Sequence, residues 1–133
     1  MNSPDERFRK SEKLCSRKLI TFLVNDGSIL YSPLLKVYWK KSPEGLPSPA
    51  QIAFSVSRKG FAKAVHRNLI KRRMREAYRK NKQLFYDNLQ SAGVCLIVLI
   101  AYRKNMIADY ETIRKSIVEM LDRLSLLAGE DVK

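Results

Sequence analysis

The chain has 133 residues, 45% of them apolar, which suits one domain around a single core. Its 26 Lys and Arg against 13 Asp and Glu give a formal net charge of +13 and a pI of about 10.0, a balance that points to a nucleic acid or an anionic membrane as partner. The longest apolar run, Val94 to Ala101, is eight residues, short of the ~20 that a spanning helix needs, and the opening MNSPDERFRKSEK is too polar and mixed in charge for a signal peptide, so membrane and secreted classes are set aside and a cytoplasmic protein is expected.

Met1 to Lys10 reads as a flexible basic tail, residues 11–128 as the folded domain, and residues 129–133 as a short C-terminal tail. Ser11 is placed to cap a first helix that runs to about Val24. Leu14, Cys15, Leu19, Phe22 and Leu23 form its apolar stripe, and Asn25-Asp26-Gly27 stops it. Leu34 to Lys40 alternates as a strand, with Leu35, Val37 and Trp39 on one face and Leu34, Lys36 and Tyr38 on the other; a shorter strand near Ile29 to Tyr31 precedes it. Lys41 to Pro49 carries Pro43, Gly45, Pro47 and Pro49 and is a loop. Gln51 to Ser57 is the next strand, with Ile52, Phe54 and Val56 facing one way and Ala53, Ser55 and Ser57 the other. Antiparallel pairing of these two strands across the loop is the expected topology.

From Arg58 to Lys82 the chain places eleven Lys or Arg residues against one acid, Glu76, a net +10 of the total. From Ala64 to about Tyr86 the composition favours a helix. At 100° per residue Ile70, Met74, Ala77, Leu84 and Phe85 share one sector, the pattern of a buried face. Asn68, Lys71, Arg72, Arg75, Arg79 and Lys82 share another. Solvated helix faces usually mix signs, because opposite charges at i,i+4 stabilise and like charges repel by a few tenths of a kcal/mol per pair. A row without acids therefore implies an external polyanion.

Val94 to Ala101, apolar throughout, suits a central strand. Asp109 then caps a last helix in which Tyr110, Ile113, Ile117, Met120, Leu121 and Leu124 recur at helical spacing, and Gly129 ends it. The result is an α+β sandwich, a small mostly antiparallel sheet of about four strands packed with three helices.

No catalytic constellation emerges. His66, the single histidine, lies among cations that disfavour its charged form, and Ser55 and Ser57 lack an orienting partner for nucleophilic work. Gly60 stands alone where a phosphate-binding loop needs several glycines. Two cysteines and one histidine do not make the usual zinc site, and Cys15 and Cys95 read as reduced thiols, Cys15 in the first helix and Cys95 in the apolar strand. The chemistry left is binding, by the basic helix, the Arg58-Lys59 pair and the polar sheet face, where Tyr38 offers a platform for an unpaired base. A sheet beside the helix favours RNA over DNA. Two other readings stay open: a structural RNA-binding protein of ribosomal type, and a sequence-specific DNA binder, for which only Asn68 is a groove-reading amide beside the arginines.

Phe54 to Tyr78, FSVSRKGFAKAVHRNLIKRRMREAY, closely resembles the signature region of the bacterial ribonuclease P protein component. The matching residues are Ser55-Val56-Ser57, Arg58-Lys59, Ala64-Val65, Arg67-Asn68, Lys71-Arg72, Arg75 and Tyr78, and the order of elements fits over nearly the whole chain. The resemblance implies a protein subunit, monomeric by itself, of the ribonucleoprotein endonuclease that removes the 5′ leader of precursor tRNA. In it the RNA subunit is the catalyst, with magnesium ions held mainly by RNA, and the fold contains a left-handed βαβ crossover against the usual hand. It implies RNA-subunit contacts from Arg58, Lys59, Lys63, Arg67, Asn68, Lys71, Arg72, Arg73, Arg75 and Arg79, with Asn68 reaching metal through water. A cleft for the single-stranded leader would comprise Tyr38, Lys36, Ser55, Ser57, Leu14 and Lys18. Three positions depart from the family pattern. Leu69 replaces an arginine for which Arg73 is the nearest substitute, the turn before Ala64 reads Gly-Phe-Ala-Lys, and Leu14 and Lys18 stand where first-helix aromatics are usual.

Overall fold

A computed structural model describes residues 7–42 and 45–130; the outer parts of both predicted tails, residues 1–6 and 131–133, and Pro43 and Glu44 of the predicted loop lie outside them. A 3-10 turn at Lys10–Glu12 leads to α1 (Arg17–Asp26), β1 (Ser28–Tyr31), β2 (Leu35–Lys41), β3 (Ala50–Val56), α2 (Ala64–Ala92), β4 (Leu96–Tyr102) and α3 (Tyr110–Glu130). The four strands form one mixed sheet in the order β1-β2-β4-β3, in which β1 with β2 and β2 with β4 are antiparallel and β3 with β4 is parallel.

This order corrects the expected β2–β3 pairing, because β4 lies between them. Leu96 to Ile100 are buried without a break, with β2 and β3 on either side of β4 and helices over both of its faces, as an apolar strand of this kind favours. β3–α2–β4 is the parallel connection on which the expected crossover falls. One face of the sheet, with Val37, Ile52, Val98 and Ile100, packs on Ile70, Met74, Phe85 and Leu89 of α2 and Ile113, Ile117 and Leu124 of α3. Trp39 joins that core as expected, although its buried indole N–H finds no acceptor among the described residues. The opposite face carries Ile97 and Leu99 and is covered by α1 through Leu23.

The first helix starts later than Ser11. Ser16 is its cap, accepting the Leu19 amide at 3.2 Å, while the Ser11 carbonyl accepts from Ser48 Oγ and Gln51 Nε2. Leu14 and Cys15 thus precede α1. The Leu14 amide bonds the Ile52 carbonyl at 3.0 Å, next to a parallel bridge of Lys13 to Ile52. Of the predicted stripe Leu23 is buried, but Phe22 is exposed. Cys15 is exposed and Cys95 half-buried just before β4, both as free thiols.

Helix α2 runs past Tyr86 to Ala92 and stops at Gly93, whose left-handed φ of +69° favours glycine. Leu84, assigned to its apolar face, is exposed, whereas Tyr78, Lys82 and Tyr86 are buried. Asp109 caps α3 as expected, accepting the Thr112 amide at 2.8 Å; the Thr112 side chain, and after it this amide, hold its carboxyl below the ordinary aspartate range. Gly129 falls inside the last turn rather than ending the helix.

At the end of α1, the Gly27 amide donates to the Leu23 carbonyl at 2.9 Å, and a Cβ added there would meet that oxygen at 2.5 Å. Gly27→Ala is therefore expected to lower stability by about 1–3 kcal/mol, the usual consequence of overpacking, as read by urea unfolding; an unchanged midpoint would mean that the α1–β1 turn yields freely.

Candidate nucleic-acid interface

The eleven cations of the basic stretch do not act as one set, because the fold divides them. Asn68, Arg72 and Arg75 are exposed on α2 and Lys71 is half-buried. None of the four makes a side-chain hydrogen bond or ion pair among the described residues. With Val65, His66 and Leu69, three of them line a surface groove of about 610 Å³. Like charges held on one rigid helix without internal neutralisation form a positive ridge, suited to a phosphate backbone.

Four other cations have internal work. Arg67 Nη1 donates to the carbonyls of Phe61 and Ala62 at 2.7 and 2.9 Å, so it ties the Gly-Phe-Ala-Lys turn to the start of α2. Arg73 Nη1 donates to the Ala108 carbonyl at 2.6 Å. It is directed to the segment before α3. Arg79 pairs with Glu76, Nε to Oε1 at 2.6 Å, which neutralises the far end of the predicted row.

Lys82 departs furthest from expectation. Its ammonium is buried and bonds both the Glu12 carboxylate and the Arg7 carbonyl. The same Glu12 oxygen accepts from Tyr86 Oη at 2.7 Å, and its other oxygen accepts from the Arg9 amide at 2.7 Å. Tyr78 Oη continues the chain to Tyr86 Oη at 2.8 Å, and Phe8 packs edge-on against Phe54 and Tyr78. The predicted tail is therefore folded from Arg7 onward, lying along the outer edge of β3. A wheel projection put Lys82 on the charged side; the segment that covers it comes from some 70 residues earlier.

Arg58, Lys59 and Lys63 are exposed around the turn between β3 and α2, and the Lys59 amide bonds Ser57 Oγ at 3.1 Å. A second groove, of about 350 Å³, runs along the β3 edge between Lys13, Leu14, Ala53, Phe54 and Arg75. Arg75 lines both grooves and joins the basic ridge to the sheet edge.

On the sheet face that α1 only partly covers, register aligns Lys36, Ala101 and Ser55 in one row and Tyr38, Leu99 and Ala53 in the next. Lys36 Nζ lies 4.9 Å from the Tyr38 ring centre, and the Tyr38 side chain raises the lysine pKa, so this cation stays charged. Ser55 and Ser57 are exposed. Leu14 is buried against the cluster of Leu23, Ile97 and Leu99, and Lys18 is exposed on the first turn of α1. The helical side chains that pack with Tyr38 on that cluster are instead Leu19 and Ile20. Placing the cap at Ser16 would have found them in the sequence.

A family model for ribonuclease P matches residues 8–125. The chain belongs to the ribonuclease P protein family. Among curated members, the ribonuclease P protein component of Porphyromonas gingivalis is 30% identical over 116 residues, 87% of this chain and 85% of that protein. The component from Chlorobium phaeobacteroides is 33% identical over 129 residues, 89% and 88% of the two chains. Among solved structures, the Staphylococcus aureus RNase P protein superposes with a TM-score of 0.68 at 20% identity, covering 87% of this chain and 96% of that one. The Thermotoga maritima protein, solved with 1-(4-fluorophenyl)-2-thiourea, gives 0.68 at 23% identity, over 84% and 98%. These two likenesses establish the ribonuclease P protein fold for this member.

Magnesium needs several oxygen ligands, usually including a carboxylate. On the ridge of this ribonuclease P family member the oxygen donor is the Asn68 amide, and Glu76 is paired with Arg79. Among the described residues no three His, Cys, Asp or Glu side chains come together. The ridge does not fit a protein-built magnesium site. Nor is any described helix long and apolar enough to cross a membrane.

Proposed function

We propose that this chain is the protein subunit of ribonuclease P, assisting RNA-catalysed removal of the 5′ leader from precursor tRNA. The observation that carries the reading is the unneutralised ridge of Asn68, Lys71, Arg72 and Arg75 beside a half-open sheet face. The ridge, with Arg58, Lys59 and Lys63, takes phosphates of the RNA subunit, and Tyr38, Lys36, Ser55 and Ser57 take the single-stranded leader. Arg67 and Arg73 act behind the ridge by fixing the segments at either side of α2. Magnesium is held by the RNA. The protein contributes positive potential that screens phosphate repulsion where the two RNAs meet, and a surface that adds affinity for the leader.

The test is cleavage of precursor tRNAs with graded leaders by a cognate ribonuclease P RNA at low magnesium, with and without the protein. The expected result is rescue that grows with leader length. Tight RNA binding without rescue would favour a structural, ribosomal type of RNA-binding protein. Cleavage by the protein alone would place the active site in the chain and overturn the reading.

A further inference from the structure

The open sheet face continues past Tyr38 to the edge strand β1. Strand register pairs Tyr31 with Lys36, Lys36 with Ala101 and Ala101 with Ser55, so these four residues form one row across the sheet. At about 4.8 Å per strand the row spans about 14 Å. Tyr31 ends it on the side away from β3 and the basic turn. The residue is 51% exposed. Its ring has Arg103 Cζ at 5.0 Å and Lys36 Nζ at 5.6 Å from its centre.

The support beneath the ring is rigid. The Tyr31 carbonyl accepts from Arg123 Nη1 of α3 at 2.9 Å. The next residue, Ser32, is buried in a tight turn, its amide bonding the Leu35 carbonyl and its hydroxyl accepting the Leu35 amide. Arg103 Nη1 donates to the Ser32 carbonyl, which fixes the guanidinium beside the ring. Here a half-exposed ring on a fixed base has two like charges near it that repel each other until an anion enters. A ring for a base and cations for its phosphates are what single-stranded nucleic acid requires.

We infer that Tyr31 is a further nucleotide-stacking position, one strand beyond Tyr38, that takes a leader nucleotide distal to the cleavage site. The inference rests on the leader reading above. Because stacking on an aromatic is tolerant of base identity, it extends the length of leader sensed without adding a sequence preference. Tyr31 lies at the edge away from β3, so only leaders long enough to cross the sheet reach it.

The test measures affinity of the reconstituted holoenzyme for precursor tRNAs whose leaders grow one nucleotide at a time, using wild type, Tyr31→Ala and Tyr31→Phe. Wild-type affinity is expected to climb to a plateau. Tyr31→Ala should match it for short leaders and then level off early, ending about tenfold weaker, whereas Tyr31→Phe, which keeps the stack, should follow wild type throughout. Equal weakening at every leader length, or no change at any, would overturn the inference while leaving wild-type leader dependence intact. Loss of leader dependence in the wild type itself would remove the functional reading first, and the inference with it.

Discussion

Glu12→Ala is expected to destabilise the free protein by about 3–5 kcal/mol, the range for removing one partner of a buried ion pair. The carboxylate accepts from Lys82, Tyr86 and the Arg9 amide, and the side chains of Lys82 and Glu12 are 4% and 5% exposed. Without it an ammonium stays buried with only the Arg7 carbonyl, and two donors lose their acceptor. A small domain is stable by only about 5–15 kcal/mol, so about a fifth or more of the total is at stake. The double variant Glu12→Leu/Lys82→Met should recover most of the loss, because replacing a whole buried pair by apolar groups is often nearly neutral. Urea unfolding of wild type, Glu12→Leu, Lys82→Met and the double variant completes the cycle. A loss below about 1 kcal/mol for Glu12→Ala, the range of an exposed pair, would show that Lys82 reaches solvent in solution and that residues 7–14 do not latch. Unlatching also uncovers the β3 edge, so Glu12→Ala should self-associate at concentrations where wild type stays monomeric.

The same network gives a pH expectation. Burial raises the Tyr78 and Tyr86 phenols above the ordinary tyrosine value. The folded state therefore holds protons that the unfolded chain releases above about pH 10. The contribution is complete below that pH and is lost as pH rises beyond it, so unfolding midpoints should fall on the alkaline side.

The second large effect concerns RNA. Lys71→Ala/Arg72→Ala/Arg75→Ala should flatten the salt dependence of binding to the RNA subunit by about 2 in log-log slope, at about 0.7 per phosphate contact on single strands. Between 50 and 200 mM salt, wild type should then lose about twentyfold more affinity than the variant. Folding should be nearly unaffected, since these side chains have no partners among the described residues and their removal relieves like-charge repulsion. Arg67→Ala should behave differently. It loses two charge-assisted bonds to the Phe61 and Ala62 carbonyls, about 1–2 kcal/mol of stability, with a smaller change in slope. An unchanged slope in the triple variant would remove the α2 ridge from the RNA interface.

Much of this was legible along the chain because it was local. Leu96 to Ile100 are apolar at every position, which is the pattern of a strand buried on both faces. The helical period of α2 and α3 named most of their buried residues, and the signature from Ser55 to Tyr78 named the family. The errors have one kind of cause. A wheel assigns each side chain an angle but does not say which angles a distant segment will cover. Lys82 and Leu84 exchanged expected environments because residues 7–12 pack on one flank of α2 and leave another open. Arg67 and Arg73 carry internal bonds that the helical period does not show, because carbonyls at Phe61 and Ala108 stand within their reach. Tyr31 carries no sequence signal of a site, because nothing near it in sequence shows that β2 and the turn after β4 bring Lys36 and Arg103 to its ring. The sequence by itself determined the elements, the sign and density of charge on α2 and the family, since each depends on neighbours within a turn or a strand. The tertiary structure alone decided the strand order and which cations remain free for RNA, because both depend on contacts between segments whose meeting no local period encodes.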